Sequence, residues 1–144
     1  YYRFNDTAGS MAKDSMFNAA AVVRRMTGKE LSDYDVNINF VGGGNIDGPS
    51  AGCAITTAFI SAITGKPVRQ DMALTGEISI QGQVKPVGGV FEKAYGARQA
   101  GMKGIIIPKE NAHDIPERHL GLDIHYAVTI DDVLKLMLVE QEGA

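Results

Sequence analysis

The chain has 144 residues, a formal net charge of −3 at pH 7, 44% apolar residues and 22% charged residues. That length suits one domain, the composition excludes bulk disorder, and no apolar run approaches the ~20 residues that cross a bilayer. The acidic balance argues against nucleic-acid binding through phosphates, and the single cysteine excludes an internal disulfide or a zinc knuckle and points to a reducing, cytoplasmic setting.

The opening Tyr1-Tyr2-Arg3-Phe4 lacks an initiator methionine and reads as an extended segment, as in a piece cut from a longer protein. Met16, Ala19, Ala20, Val23 and Met26 recur at three- and four-residue spacing, so residues 10–27 are expected to be helical, with Gly28 as the stop. Val36, Ile38 and Phe40 alternate with Asp35, Asn37 and Asn39, which predicts a half-buried strand over 35–41. A glycine-rich loop follows, and Pro49 is placed to open a helix over 49–64. That helix is apolar nearly all round, which predicts burial on every side.

Residues 73–80 and 83–87 read as two strands paired around Gln81-Gly82. Gly88-Gly89 lead into a helix over about 90–100, ended by Gly101. Residues 104–108 form a short buried strand, and 109–121 a loop with one helical turn. Asp123 to Val128 alternate as a strand that places Ile124, Tyr126 and Val128 on one face and His125 on the other, toward solvent. Thr129 caps a last helix, with Asp131 and Asp132 in its first turn. Strands alternating with helices imply an α+β domain of mixed α/β layers spanning 1–144.

The chemistry concentrates in Asp47-Gly48-Pro49-Ser50-Ala51-Gly52. Ser50 sits between glycines where a loop becomes a helix, so free backbone N–H groups are available to hold an oxyanion. On the local pattern, Ser50 is either an acyl-transfer nucleophile or a small residue in a first turn. A serine needs a base. His113 and His119 lie in a loop, and none of the three histidines shows metal-pair spacing. Lys93, in the first turn of its helix among Val90, Phe91, Ala94 and Ala97, could serve if burial lowers its pKa. The alternative is a surface lysine paired with Glu92. Cys53, three residues after Ser50, reads as a small buried hydrophobe, and the methionines read as core.

Asp47–Gly52, then Leu74-Thr75-Gly76-Glu77, then Gly82-Gln83-Val84-Lys85-Pro86-Val87-Gly88-Gly89-Val90-Phe91-Glu92-Lys93 resemble the proteolytic domain of the Lon protease family. Ile105-Ile106-Ile107-Pro108-Lys109-Glu110-Asn111 resembles that family's following strand and loop. The resemblance runs in order over about 9–138, and the loop 40–46 is closer to the bacterial Lon-B or Lon-C branches. It implies the Lon proteolytic-domain fold, related to the ribosomal protein S5 domain 2-like fold.

The resemblance also implies roles. Ser50 is then the nucleophile and Lys93 the general base of a serine–lysine dyad. Thr75 orients the lysine, and Asp47 and Glu77 are supporting acids. The backbone N–H groups of Gly48, Ser50 and Ala51 form the oxyanion hole. Substrates would be unfolded polypeptides, and the assembly a homo-oligomer, a hexameric ring, with no nucleic-acid or membrane contact in this domain. No cofactor is expected here. ATP and magnesium belong to an ATPase module that family members carry N-terminally and whose phosphate-loop motif this sequence lacks.

Besides the missing phosphate-loop motif, one further feature departs from the family pattern. Its proteolytic domain begins with further strands before the first helix, whereas here about eight residues precede it. The competing readings are an inactive assembly domain, a Gly-x-Ser-x-Gly hydrolase using Asp114 or Asp123 with His125, and a nucleotide-binding domain of the GHMP kinase type, whose phosphate loop would be 42–52.

Overall fold

The computed structural model describes residues 2–4, 10–30, 33, 36–38, 51–116 and 121–140. In chain order its elements are β1 (Tyr2–Phe4), α1 (Ser10–Thr27), β2 (Val36–Ile38), α2 (Gly52–Thr64), β3 (Met72–Leu74) and β4 (Glu77–Ile78). They continue with β5 (Val84–Lys85), α3 (Val90–Gln99), β6 (Gly104–Pro108), a 3-10 helix (Lys109–Asp114), β7 (Asp123–Ala127) and α4 (Ile130–Met137).

The centre is a three-stranded parallel sheet in the order β3-β6-β7. All five residues of β6 are buried, as expected of a strand covered on both faces. Its alternation divides the core: Ile105 and Ile107 join Val90, Ala94 and Ala97 of α3 on one face, and Ile106 joins Cys53, Met72, Val133 and Met137 on the other. Each fully buried isoleucine contributes about 1.5–3 kcal/mol relative to exposure. A third cluster, of Met16, Val23 and Ile60, joins α1 to α2. β1 pairs with β2 in parallel, so the opening extended segment and the strand expected near 36 meet each other.

Helix α1 spans the predicted residues, and Gly28 closes it at φ 73° with its N–H donating to the carbonyl of Arg24. Helix α4 carries the predicted cap as a capping box between Thr129 and Asp132. The helix and strand boundaries over 90–108 also match expectation. Among the described residues, no helix is long and apolar enough to cross a membrane.

Four expectations are corrected. The strand predicted over 73–80 is two strands in different sheets. β3 pairs with β6, whereas β4 pairs antiparallel with β5. The chain changes sheet at Gly76, whose φ of 153° strains any side chain and where a Cβ would crowd Cys53 Sγ and Val84 Cγ1 at 3.1 Å. Helix α2 is not buried all round: Gly52, Cys53, Thr56, Thr57 and Ile60 face inward, and Ala54 and Ala58 are exposed. The buried threonines are accommodated because their hydroxyls donate to the carbonyls of Gly52 and Cys53 one turn back. On β7, Tyr126 is exposed and His125 half-buried, and Val128, just past the strand, is exposed, because this is the sheet's edge and Ala127 carries the inward contact. Finally, Met26, expected in the core, is exposed, as is Phe91, expected to give Lys93 an apolar setting.

Candidate active site

Thr75 immediately follows β3. Its N–H donates to the carbonyl of Ile106 at 3.1 Å, which extends the β3–β6 pairing by one residue. Its side chain is buried, 5% exposed, and its hydroxyl accepts a hydrogen bond from the Lys93 ammonium, with Nζ and Oγ1 3.3 Å apart. Lys93 lies in the first turn of α3. That turn begins after Gly89, at φ 69°, whose carbonyl accepts from the Lys93 N–H at 3.0 Å.

Burial lowers the pKa of Lys93 from the ordinary lysine value, because desolvation disfavours the charged form. Among the described residues no carboxylate lies within ion-pair distance of Lys93, so the pairing with Glu92 is not formed. Lys93 and Thr75 line a cleft of about 400 Å³. Ala51 and Ala54 of the α2 segment form one wall, Leu74 and Thr75 another, and Lys93 and Ala97 a third. The exposed side of α2 thus borders open space beside the lysine. A larger cleft of about 520 Å³ lies between β5 and the end of β7. It holds neither Lys93 nor Thr75, and its charged residues, Lys85, Lys109 and Glu110, are exposed.

Glu77 is engaged elsewhere. Its carboxylate accepts from the Ser15 hydroxyl of α1 at 2.7 Å and from the N–H of Ile78 at 2.7 Å. It also lies against Gly52 in the first turn of α2. Burial pushes its pKa up, helped by Asp14 nearby and opposed by the two hydrogen bonds. Glu77 therefore ties α1, β4 and the start of α2 together, and a carboxylate near a helix N-terminus is electrostatically favoured. Cys53 behaves as expected: it is fully buried, and burial followed by the Glu77 charge pushes its thiol up to about 12.

Asp47, Gly48 and Ser50, together with the loop 40–46, lie outside the described residues, as does His119. Of the other histidines, His113 is exposed beside Asp114, His125 sits half-buried on β7, and neither lines the cleft. Two polar residues had no role in the sequence reading. Ser15 holds Glu77. Asn111 is 4% exposed and pairs with both backbone groups of Val87. Their spacing to these partners, 62 and 24 residues, carries no local pattern.

Residues 6–140 match the family described as Lon protease (S16) C-terminal proteolytic domain. The chain belongs to the Lon protease family. It is 48% identical over 130 residues to Lon protease 2 of Bacillus subtilis, covering 90% of this chain and 23% of that protein. It is 40% identical over 138 residues to the archaeal Lon protease of Pyrococcus abyssi, covering 93% and 14%. Lon protease 1 of Thermus thermophilus is 50% identical over 110 residues, covering 73% and 14%. The chain thus spans 14% to 23% of the length of these Lon relatives. Membership of the Lon family, whose α+β proteolytic domain accounts for the layers described above, displaces the hydrolase-elbow and kinase-type readings.

Proposed function

We propose that this domain is a serine endopeptidase acting through Ser50 and Lys93. The observation that carries the reading is the Lys93–Thr75 hydrogen bond inside a cleft walled by Ala51, the residue that follows Ser50 in the chain. Lys93, its pKa lowered by burial, takes the Ser50 hydroxyl proton as the oxygen attacks the scissile carbonyl. Backbone N–H groups of Gly48, Ser50 and Ala51 hold the oxyanion at the start of α2. The Lys93 ammonium returns the proton to the departing amine, leaving an acyl-serine. Water then attacks the ester, Lys93 takes its proton, and the serine is restored. Thr75 accepts one ammonium hydrogen and so fixes the direction of the amine. Asp47 supports the loop that carries Ser50, and Glu77 supports the α2 terminus from below.

Substrates in this reading are unfolded polypeptides, whose backbone can enter the cleft as an extended strand. The domain works in the cytoplasm within a homo-oligomeric ring of six. It is coupled to an ATPase module of the parent chain that supplies the ATP and magnesium chemistry, and it carries no cofactor of its own. The test is hydrolysis of a fluorogenic unstructured peptide by wild type, Ser50→Ala and Lys93→Ala, with oligomer size measured in parallel. Loss of turnover in both folded variants is expected, and unchanged turnover in either removes that residue from the mechanism.

A further inference from the structure

We infer that Asn111 is a positioning residue that sets where Lys93 stands relative to Thr75. The inference rests on the reading of Lys93 as the base. Asn111 is buried in the 3-10 helix after β6. Its Oδ1 accepts from the N–H of Val87 at 3.0 Å, and its Nδ2 donates to the carbonyl of the same residue at 2.9 Å. A third bond, from Nδ2 to Asp114 Oδ2 at 2.8 Å, orients the amide. One side chain thus pairs with both backbone groups of one residue, as a neighbouring strand would.

Val87 is the last residue before Gly88-Gly89, and Gly89 is the N-cap from which α3 and Lys93 depart. Those glycines leave the approach to α3 without side-chain restraint. No side chain caps the helix at Gly89, so the first turn of α3 is held by the packing of Val90 against the β6 isoleucines and, upstream of the glycines, by the hydrogen-bonded pairing at Val87. The acceptor is referenced to the same short stretch of chain, because the Thr75 N–H donates to the carbonyl of Ile106 in β6. Residues 106–111 therefore hold both partners of the Lys93–Thr75 bond: Ile106 through β3, and Asn111 through Val87. Ile106 lies in the wholly buried β6 and Asn111 is itself buried, so both ends of that segment are fixed references. Removing the Asn111 amide leaves the α3 start held by apolar packing alone, which does not fix its position along the β6 face, so Lys93 shifts while β3 and Thr75 stay in place.

The test compares wild type with Asn111→Ala in the intact chain. It follows the nuclear Overhauser cross-peak between the Thr75 methyl and the Lys93 ε-methylene, together with the steady-state kinetics. The cross-peak is expected to fall at least about threefold, and kcat to fall about ten- to a hundredfold with KM little changed, the signature of misplacing a group that acts on bound substrate. Asn111→Ser, which keeps an acceptor for the Val87 N–H, is expected to recover part of both. A folded Asn111→Ala protein with the wild-type cross-peak would overturn the inference. If Asn111→Ala does not fold, Asn111→Ser decides by the same cross-peak, and failure of both to fold would assign Asn111 a purely structural role instead. A wild type with no peptidase activity would sink the dyad reading, but the cross-peak comparison would still be decisive for Asn111.

Discussion

Gly52 and Ile78 pack so closely that a methyl group on Gly52 would lie 2.8 Å from the Ile78 backbone nitrogen and 2.9 Å from its Cγ2. The first turn of α2 and the strand β4 therefore touch backbone to backbone, with the Glu77 carboxylate wedged at the same point. A second tie runs beside it, from the Cys53 N–H to the carbonyl of Gly76 at 3.1 Å. Because backbone cannot yield as a side-chain tip can, Gly52→Ala is expected to destabilise the domain by about 1–3 kcal/mol. Urea unfolding measures this, and a variant as stable as wild type would mean that the contact relaxes freely.

Thr75→Val removes an acceptor while keeping the shape. The ammonium of Lys93 loses a hydrogen bond that favours its charged form, so its pKa moves further below the ordinary lysine value. The rising limb of kcat/KM against pH should shift to lower pH. The plateau should fall about tenfold, because the amine is no longer aimed. A limb that stays in place would show that the hydroxyl does not touch the ammonium in solution.

Lys93→Met separates function from stability. In the folded domain Lys93 binds its proton less tightly than in the unfolded chain. Its burial therefore penalises stability below the folded pKa, and the penalty disappears as pH rises above the unfolded value. Methionine fills the same space without charge. Peptide hydrolysis should drop about 10³-fold, whereas Tm near neutral pH should rise by about 2 °C. A falling Tm would mean that the ammonium stabilises the fold on balance.

Glu77→Gln tests the opposite case. The folded pKa of Glu77 lies above its ordinary value, so the folded domain holds this proton more tightly than the unfolded chain does. That contribution is complete in acid below the unfolded pKa and is lost as pH rises through the folded one. Glutamine abolishes the dependence. The wild-type advantage in unfolding free energy should therefore shrink as pH rises above the ordinary glutamate range. An advantage that stays constant as pH rises would show that Glu77 titrates as in the unfolded chain.

Much of this fold was legible because periodicity reports a helix face directly, as at Met16, Ala19 and Val23, and because Gly28 and Thr129 mark helix ends by local chemistry. The errors fall where a partner far along the chain decides. Nothing in the run 73–80 announces that β3 answers to β6 and β4 to β5. Thr56 and Thr57 look too polar for a core, yet their hydroxyls are satisfied within their own helix. The alternation of Ile124, Tyr126 and Val128 is real, but at a sheet edge it does not translate into burial. For the site, the Lys93–Thr75 contact was legible through resemblance and not through spacing. The anchoring by Ser15 and Asn111 depends on tertiary approach alone.

The position of Cys53 makes the thiol a built-in reporter on this region. It is wholly enclosed, its thiolate is suppressed to a pKa of about 12, and it stands three residues from Ser50 at the base of α2. An alkylating reagent can reach it only when the packing around the base of α2 opens. The rate at which iodoacetamide labels the native chain therefore counts openings of the helix base itself. Labelling by such reagents would register breathing at the start of α2, with no thiol taking part in any chemistry.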